Sequence, residues 1–103
     1  MTRWVDAGPL AGLKFDPGAS VQIGGHWLAV FPLEGDYHVI ANACPHASAP
    51  LCDGTLMDGK IVCPLHLWEF DIKSGVCDVG GEWNVQSYAS RVVGDRLEID
   101  LPE

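Results

Sequence analysis

Two short segments of the chain carry cysteine and histidine at spacings suited to metal binding. Cys44 and His46 lie in "CPHASAPL", and Cys63 and His66 lie in "CPLH", so the pattern is C-x-H, 16 residues, then C-x2-H. Thiolate and imidazole are ligands that suit zinc and iron. If the two segments meet in the fold, their four side chains form a complete ligand set for one metal centre.

Two kinds of metal centre fit this set of ligands. One is a tetrahedral zinc ion, and the other is a 2Fe-2S cluster in which two histidines replace two cysteines on one iron. Zinc sites of this composition usually group the cysteines in one segment and the histidines in the other. Here each segment provides one of each, so the cysteines could bind one iron and the histidines the other. The mixed arrangement favours the cluster, and a zinc-stabilised interaction module remains the alternative.

The longer run from Cys44 to Gly75, "CPHASAPLCDGTLMDGKIVCPLHLWEFDIKSG", resembles the cluster-binding region of Rieske 2Fe-2S proteins. The ligand spacing and the W-x-F-D-x-x-x-G run agree with that family. The similarity is greatest to the soluble Rieske-type ferredoxins and to the small subunit of assimilatory NAD(P)H nitrite reductase. It implies that Cys44 and Cys63 bind the inner iron of the cluster, and that His46 and His66 bind the outer iron.

This resemblance implies one-electron transfer. We expect a ferredoxin that takes electrons from a flavin-containing reductase and passes them to a terminal oxygenase. The alternative is the small, non-catalytic subunit of a nitrite reductase. A chain of 103 residues leaves no room for a substrate pocket with a second iron centre, and no 2-His-1-carboxylate set is evident outside the cluster motif. The chain is therefore expected to be an electron carrier and not a complete enzyme.

Four positions depart from the respiratory and photosynthetic Rieske proteins. Those proteins have a further cysteine in each cluster loop, and the two form a disulfide, whereas this chain has Ala49 and Leu65. They also direct a serine and a tyrosine hydroxyl to the sulfurs, where this chain has Trp68 and Phe70. Hydrogen bonds to the sulfurs stabilise the reduced cluster and raise its potential. Their absence predicts a potential at the low end of the Rieske range, about −150 mV.

The elements that must position these ligands are predicted to be short strands. The 12 glycines and 7 prolines indicate many short elements joined by turns, and no segment has a sustained helical period. The predicted fold is all-β, an antiparallel β-sandwich formed by one domain, residues 1–103, with a cluster-binding subdomain inserted at about residues 43–82. The predicted strands are "SVQIG" and "HWLAVF" around a Gly24–Gly25 turn, "YHVIANA", "KIVC", "LWEFDI", "WNVQSYASRVV" and "RLEIDL".

Two of these strands carry more specific expectations. In "YHVIANA", Val39 is expected to lie on the opposite face of the sheet from Ile40 and His38. In "RLEIDL", which follows a turn at Gly94, the apolar residues Leu97, Ile99 and Leu101 are expected to share one face, because successive side chains of a strand alternate.

Charge and cysteine content restrict the partners and the compartment. The net charge is −8, from 14 acidic and 6 basic residues, which disfavours nucleic acid and anionic membrane surfaces. It is compatible with a basic partner protein or simply with solubility. No apolar run approaches the ~20 residues that span a bilayer, and the first residues do not resemble a signal peptide. We therefore expect a cytoplasmic protein, in which four cysteines indicate metal or redox chemistry before structural disulfides.

Several other residues have both a functional and a structural interpretation. Cys52 and Cys77 are expected to be free thiols packed near the core, although a disulfide or a substitute ligand is the alternative. Gly80–Gly81 is either a third loop that covers the cluster or an ordinary turn. The tryptophans and the phenylalanine around the motif are expected to serve packing before electron conduction. These residues are Trp27, Trp68, Phe70 and Trp83.

Overall fold

The computed structural model describes residues 3–15, 17–43, 50–64 and 67–101. Within these ranges the chain forms ten strands and three short 3₁₀ turns. The strands are β1 (Trp4–Pro9), β2 (Ala19–Ile23), β3 (His26–Leu33), β4 (Asp36–Ala41), β5 (Thr55–Met57), β6 (Lys60–Val62), β7 (Glu69–Asp71), β8 (Ser87–Tyr88), β9 (Ser90–Val93) and β10 (Arg96–Asp100). The 3₁₀ turns are Leu10–Gly12, Leu51–Asp53 and Gly81–Trp83.

These strands form three antiparallel sheets. The first has the order β1-β10-β9, the second β2-β3-β4-β8 and the third β5-β6-β7. The third sheet is built from the part of the chain that contains the metal-binding motif. The structure thus confirms the predicted all-β fold with antiparallel strands. The described part of the chain contains no helix with the length and apolar character that a bilayer span requires.

The four-stranded sheet is the middle layer of the molecule. Residues 28–31 of β3 are fully buried, and their side chains alternate between the two faces of the sheet. Leu28 and Val30 pack in one hydrophobic core, and Ala29 and Phe31 pack in another. A continuous apolar run is typical of a strand that is covered on both faces.

The two cores join this middle sheet to different partners. One core contains Leu97, Ile99 and Leu101 of the final segment, as their shared face predicted. The other core contains Leu51 and Phe70 of the motif region. The third sheet is therefore held by apolar packing against the middle sheet.

Local turn signals correctly located two hairpins. Strands β2 and β3 are joined by a turn at Gly24, which has a φ of 57°. Strands β9 and β10 are joined by a turn at Gly94, which has a φ of 64°. A positive φ is a conformation that glycine adopts without steric cost. These hairpins set the register of the strands that flank them.

Two expectations about individual strands were incomplete. Val39 and Ile40 point to opposite faces of β4, but both are buried, because the sheet is covered on both sides. The stretch "WNVQSYASRVV" is not one strand. Its β8 part pairs with β4, whereas its β9 part pairs with β10 of another sheet, and the change occurs at Ala89. This segment connects two layers.

Candidate metal centre

Cys63 is the predicted ligand whose position the structure describes. The other three, Cys44, His46 and His66, lie outside the described residues, as do Ala49 and Leu65. The convergence of the four side chains therefore stays a prediction. Cys63 directly follows β6 and is 0% exposed.

The second ligand loop is closed at its base by backbone hydrogen bonds. The amide of Cys63 donates to the carbonyl oxygen of Trp68 at 2.7 Å, and the amide of Leu67 donates to the carbonyl oxygen of Cys63 at 3.1 Å. Immediately beyond them, Val62 pairs with Glu69 across β6 and β7. The backbone of Cys63 is thus fixed by the end of a paired ladder, which restricts where its sulfur can lie.

The first ligand loop is closed in a similar way. Ala43 and Pro50 form an antiparallel bridge, and the amide of Leu51 donates to the carbonyl oxygen of Asn42 at 2.6 Å. The predicted ligands Cys44 and His46 lie in the segment between these ends. The two ends of this segment, Ala43 and Pro50, therefore lie side by side.

The buried side-chain amide of Asn42 stabilises the base of this loop. It is fully buried, and its Oδ1 accepts a hydrogen bond from the amide of Cys52 at 2.9 Å. Its Nδ2 lies 3.3 Å from Sγ of Cys52 and 3.4 Å from Oγ of Ser20. Trp27 Nε1 also donates to that serine oxygen, at 2.9 Å. The network joins the base of the first loop to β2 and β3.

Asn42 is not among the site residues that the sequence patterns predicted. A signal was present, because this amide ends an apolar strand only two positions before the first predicted ligand. Buried polar groups in native proteins are nearly always hydrogen-bonded. An amide in such a strand is thus a candidate for a structural network.

The remaining two cysteines are free, buried thiols, as predicted. Burial raises the pKa of the Cys52 thiol, the Asn42 amide opposes the rise, and the Asp53 carboxylate adds to it. A thiol with a raised pKa stays protonated at neutral pH and is a poor ligand. The amide of Cys77 donates to Oδ1 of Asn84 at 2.8 Å.

Aromatic side chains cover the region next to the second loop. The rings of Trp68 and Trp83 make an edge-to-face contact with centroids 5.3 Å apart. Both pack against the core that contains Cys63 and the fully buried Phe70. This agrees with the packing interpretation for these three residues, whereas the side chain of Trp27 is exposed. Gly80 accepts a hydrogen bond from the amide of Trp83 at 3.0 Å, which closes the turn at Gly80–Gly81, and a cluster-covering role for this turn stays a prediction.

The described surroundings suit an iron–sulfur cluster. A thiolate is the ligand that such clusters use, and Cys63 presents one in a core made mainly of apolar side chains. Such a setting excludes water from the sulfur. The donor types at the other three predicted positions, one thiol and two imidazoles, complete the set of a 2Fe-2S cluster with mixed ligands.

Comparisons with known proteins agree with this donor set. The model of the Rieske [2Fe-2S] domain matches residues 3–89. The chain is 33% identical over 101 residues to the ferredoxin component of the naphthalene 1,2-dioxygenase system of Pseudomonas aeruginosa, with 96% of each chain covered.

Solved structures have the same fold. The ferredoxin of carbazole 1,9a-dioxygenase from Nocardioides aromaticivorans superposes with a TM-score of 0.82 at 26% identity, covering 93% of this chain and 95% of that one. A protein assigned as the NADH-dependent nitrite reductase small subunit of Mycobacterium tuberculosis gives a TM-score of 0.87 at 22% identity, covering 100% and 98%. The chain therefore belongs to the Rieske 2Fe-2S domain family, and its cofactor is the cluster of that family.

Proposed function

We propose that this protein is the ferredoxin component of an oxygenase system. It takes one electron at a time from a flavin-containing reductase and passes it to a terminal oxygenase. The observation that carries the proposal is the 33% identity to a dioxygenase ferredoxin component over 96% of both chains. In this role the protein is a carrier that works in the cytoplasm and not a complete enzyme.

The proposed cluster ligands are Cys44, His46, Cys63 and His66, in a subdomain at about residues 43–82 of a single domain. The bound cluster supplies a site that accepts and releases one electron. The protein's own part is to fix the two ligand loops and to exclude water. Support comes from the closed base of each loop and from the complete burial of Cys63.

The ligand assignment can be tested with matched cysteine variants. Cys63→Ser should abolish the visible absorption of the cluster and reduce iron per chain, whereas Cys52→Ser and Cys77→Ser should keep both. All three side chains are buried, so general damage to the core would affect them alike. Cluster loss in all three variants, or in none, would contradict the assignment. Bound zinc and no colour in the wild-type protein would favour the interaction module.

The carrier role needs a functional assay. The purified protein is mixed with NADH and with the reductase and oxygenase from the same cells, and product formation is followed as the protein concentration varies. A shuttle should support saturable turnover and elute alone in size-exclusion chromatography. A protein that stays in a fixed complex and supports nitrite reduction would instead be the small subunit of a nitrite reductase.

The potential of the cluster is a separate part of the proposal. Phe70 is fully buried and has no hydroxyl, and the Trp68 ring packs against Trp83. Neither side chain can provide the hydroxyl donor that raises Rieske potentials. A potentiometric titration should give about −150 mV, and a clearly positive value at neutral pH would contradict this reasoning.

A further inference from the structure

Leu67 combines two unfavourable features at one position. Its φ is 64°, in the left-handed region that a side chain with a Cβ avoids. Its side chain is 72% exposed, more than any other large hydrophobic side chain in the described part of the chain. An unfavourable backbone conformation that persists in a native structure is a reason to look for a function.

The surrounding structure holds Leu67 in this conformation. Its amide donates to the carbonyl oxygen of Cys63 at 3.1 Å, and the next residue, Trp68, accepts the amide of Cys63 at 2.7 Å. The Trp68 ring is in turn fixed against Trp83. The loop therefore presents the leucine to solvent from a fixed position, directly after the proposed ligand His66 in the sequence.

The neighbouring surface indicates what Leu67 could contact. Glu69 and Asp78 are joined by two hydrogen bonds of 3.0 Å, and the exposed Val79 follows directly. The sequence contains no lysine or arginine at 61–72 or at 74–90. Leu67 precedes Glu69 by two residues and Val79 follows Asp78 directly, so this paired part of the chain combines exposed apolar residues with acidic ones. It is complementary to an apolar recess that is bordered by arginine or lysine.

We propose that Leu67 is a docking contact for the electron acceptor of this protein, the terminal oxygenase. The inference rests on the proposed function. Electron transfer requires the acceptor to approach the ligand loops, and Leu67 belongs to one of them. A buried apolar contact at the centre of a small interface can provide much of its affinity, and the free protein already presents Leu67 exposed for such a contact.

Two substitutions separate docking from folding. Leu67→Gly removes the side chain and suits the positive φ, and Leu67→Asn keeps a side chain that tolerates this region. Both variants should keep the visible and EPR spectra of the cluster, and Leu67→Gly should be as thermostable as the wild type or more so. In steady-state turnover the KM of the oxygenase for either variant should rise about tenfold. Val93→Thr, at an exposed apolar position of the first sheet, is the matched control and should leave KM unchanged.

Three other outcomes would contradict the inference. An unchanged KM for Leu67→Gly would show that the leucine is not a docking contact. A rise seen only with the reductase would assign the contact to the electron donor. If the wild-type protein fails to support the oxygenase at all, the proposed function is wrong and the inference fails with it. Wild-type turnover thus distinguishes the two failures.

Discussion

Replacement of Asn42 by alanine should destabilise the protein by about 2–4 kcal/mol. The side chain is fully buried and makes three polar contacts, to the amide of Cys52, to its sulfur and to Ser20. Truncation leaves the amide of Cys52 buried without its partner, which costs about 1–3 kcal/mol. The two contacts of Nδ2 are longer, 3.3 and 3.4 Å, and together add about 1 kcal/mol.

The assay is guanidinium denaturation of the cluster-loaded protein, followed by tryptophan fluorescence and visible absorption in the same sample. With a slope of about 3 kcal/mol per M, the expected loss lowers the midpoint by about 1 M. Because Asn42 precedes the first ligand loop, the cluster absorption should also decay faster at a fixed guanidinium concentration.

The control for Asn42 is Cys52→Ala, which removes the sulfur but keeps the bond between the amide of residue 52 and Asn42. It should cost about 1 kcal/mol, for a small cavity and one weak contact. If Asn42→Ala and Cys52→Ala lower the midpoint equally, the buried amide of residue 52 does not depend on Asn42 and the reasoning is refuted.

Two further results are expected. Gly75→Ala should cost more than about 3 kcal/mol or prevent accumulation of the protein, because Gly75 has a φ of 79° and an added Cβ would overlap the carbonyl oxygen of Val85. Gly94→Ala, at a φ of 64° in open space, is the control and should cost only about 1–2 kcal/mol; equal losses in denaturation experiments would contradict the overlap argument. Stability should fall above about pH 9, because the Cys52 thiol, with its raised pKa, stays protonated in the folded state while the unfolded state releases its proton. Cys52→Ala should weaken this fall in a pH series of denaturation midpoints, and an unchanged slope would show that the thiol does not cause it.

The sequence predicted the features that depend on neighbouring residues. The hairpin turns at Gly24 and Gly94 follow from local backbone chemistry. The shared face of Leu97 and Ile99 follows from the period of a strand. Each of these can be read within a window of a few residues.

The features that were missed depend on contacts between distant parts of the chain. The burial of both faces of β4 requires a third sheet on one side and β10 on the other, which no local pattern reveals. The switch of partner at Ala89 is decided by which sheet each half of the segment can reach. The network of Asn42 joins residues 20, 27 and 52, so its partners cannot be identified from the neighbouring residues at the end of β4.

Because side chains alternate along β3, two neighbouring residues of this strand lie in different hydrophobic cores. Phe31 lies in the core that contains Cys63, whereas Val30 points into the other core. A reduced cluster is paramagnetic, and its effect on nuclear relaxation decreases steeply with distance. The NMR signals of the Phe31 ring should therefore broaden more than those of the Val30 methyl groups when the protein is reduced. The difference between these adjacent residues would report how far the paramagnetic effect of the cluster extends across the middle sheet.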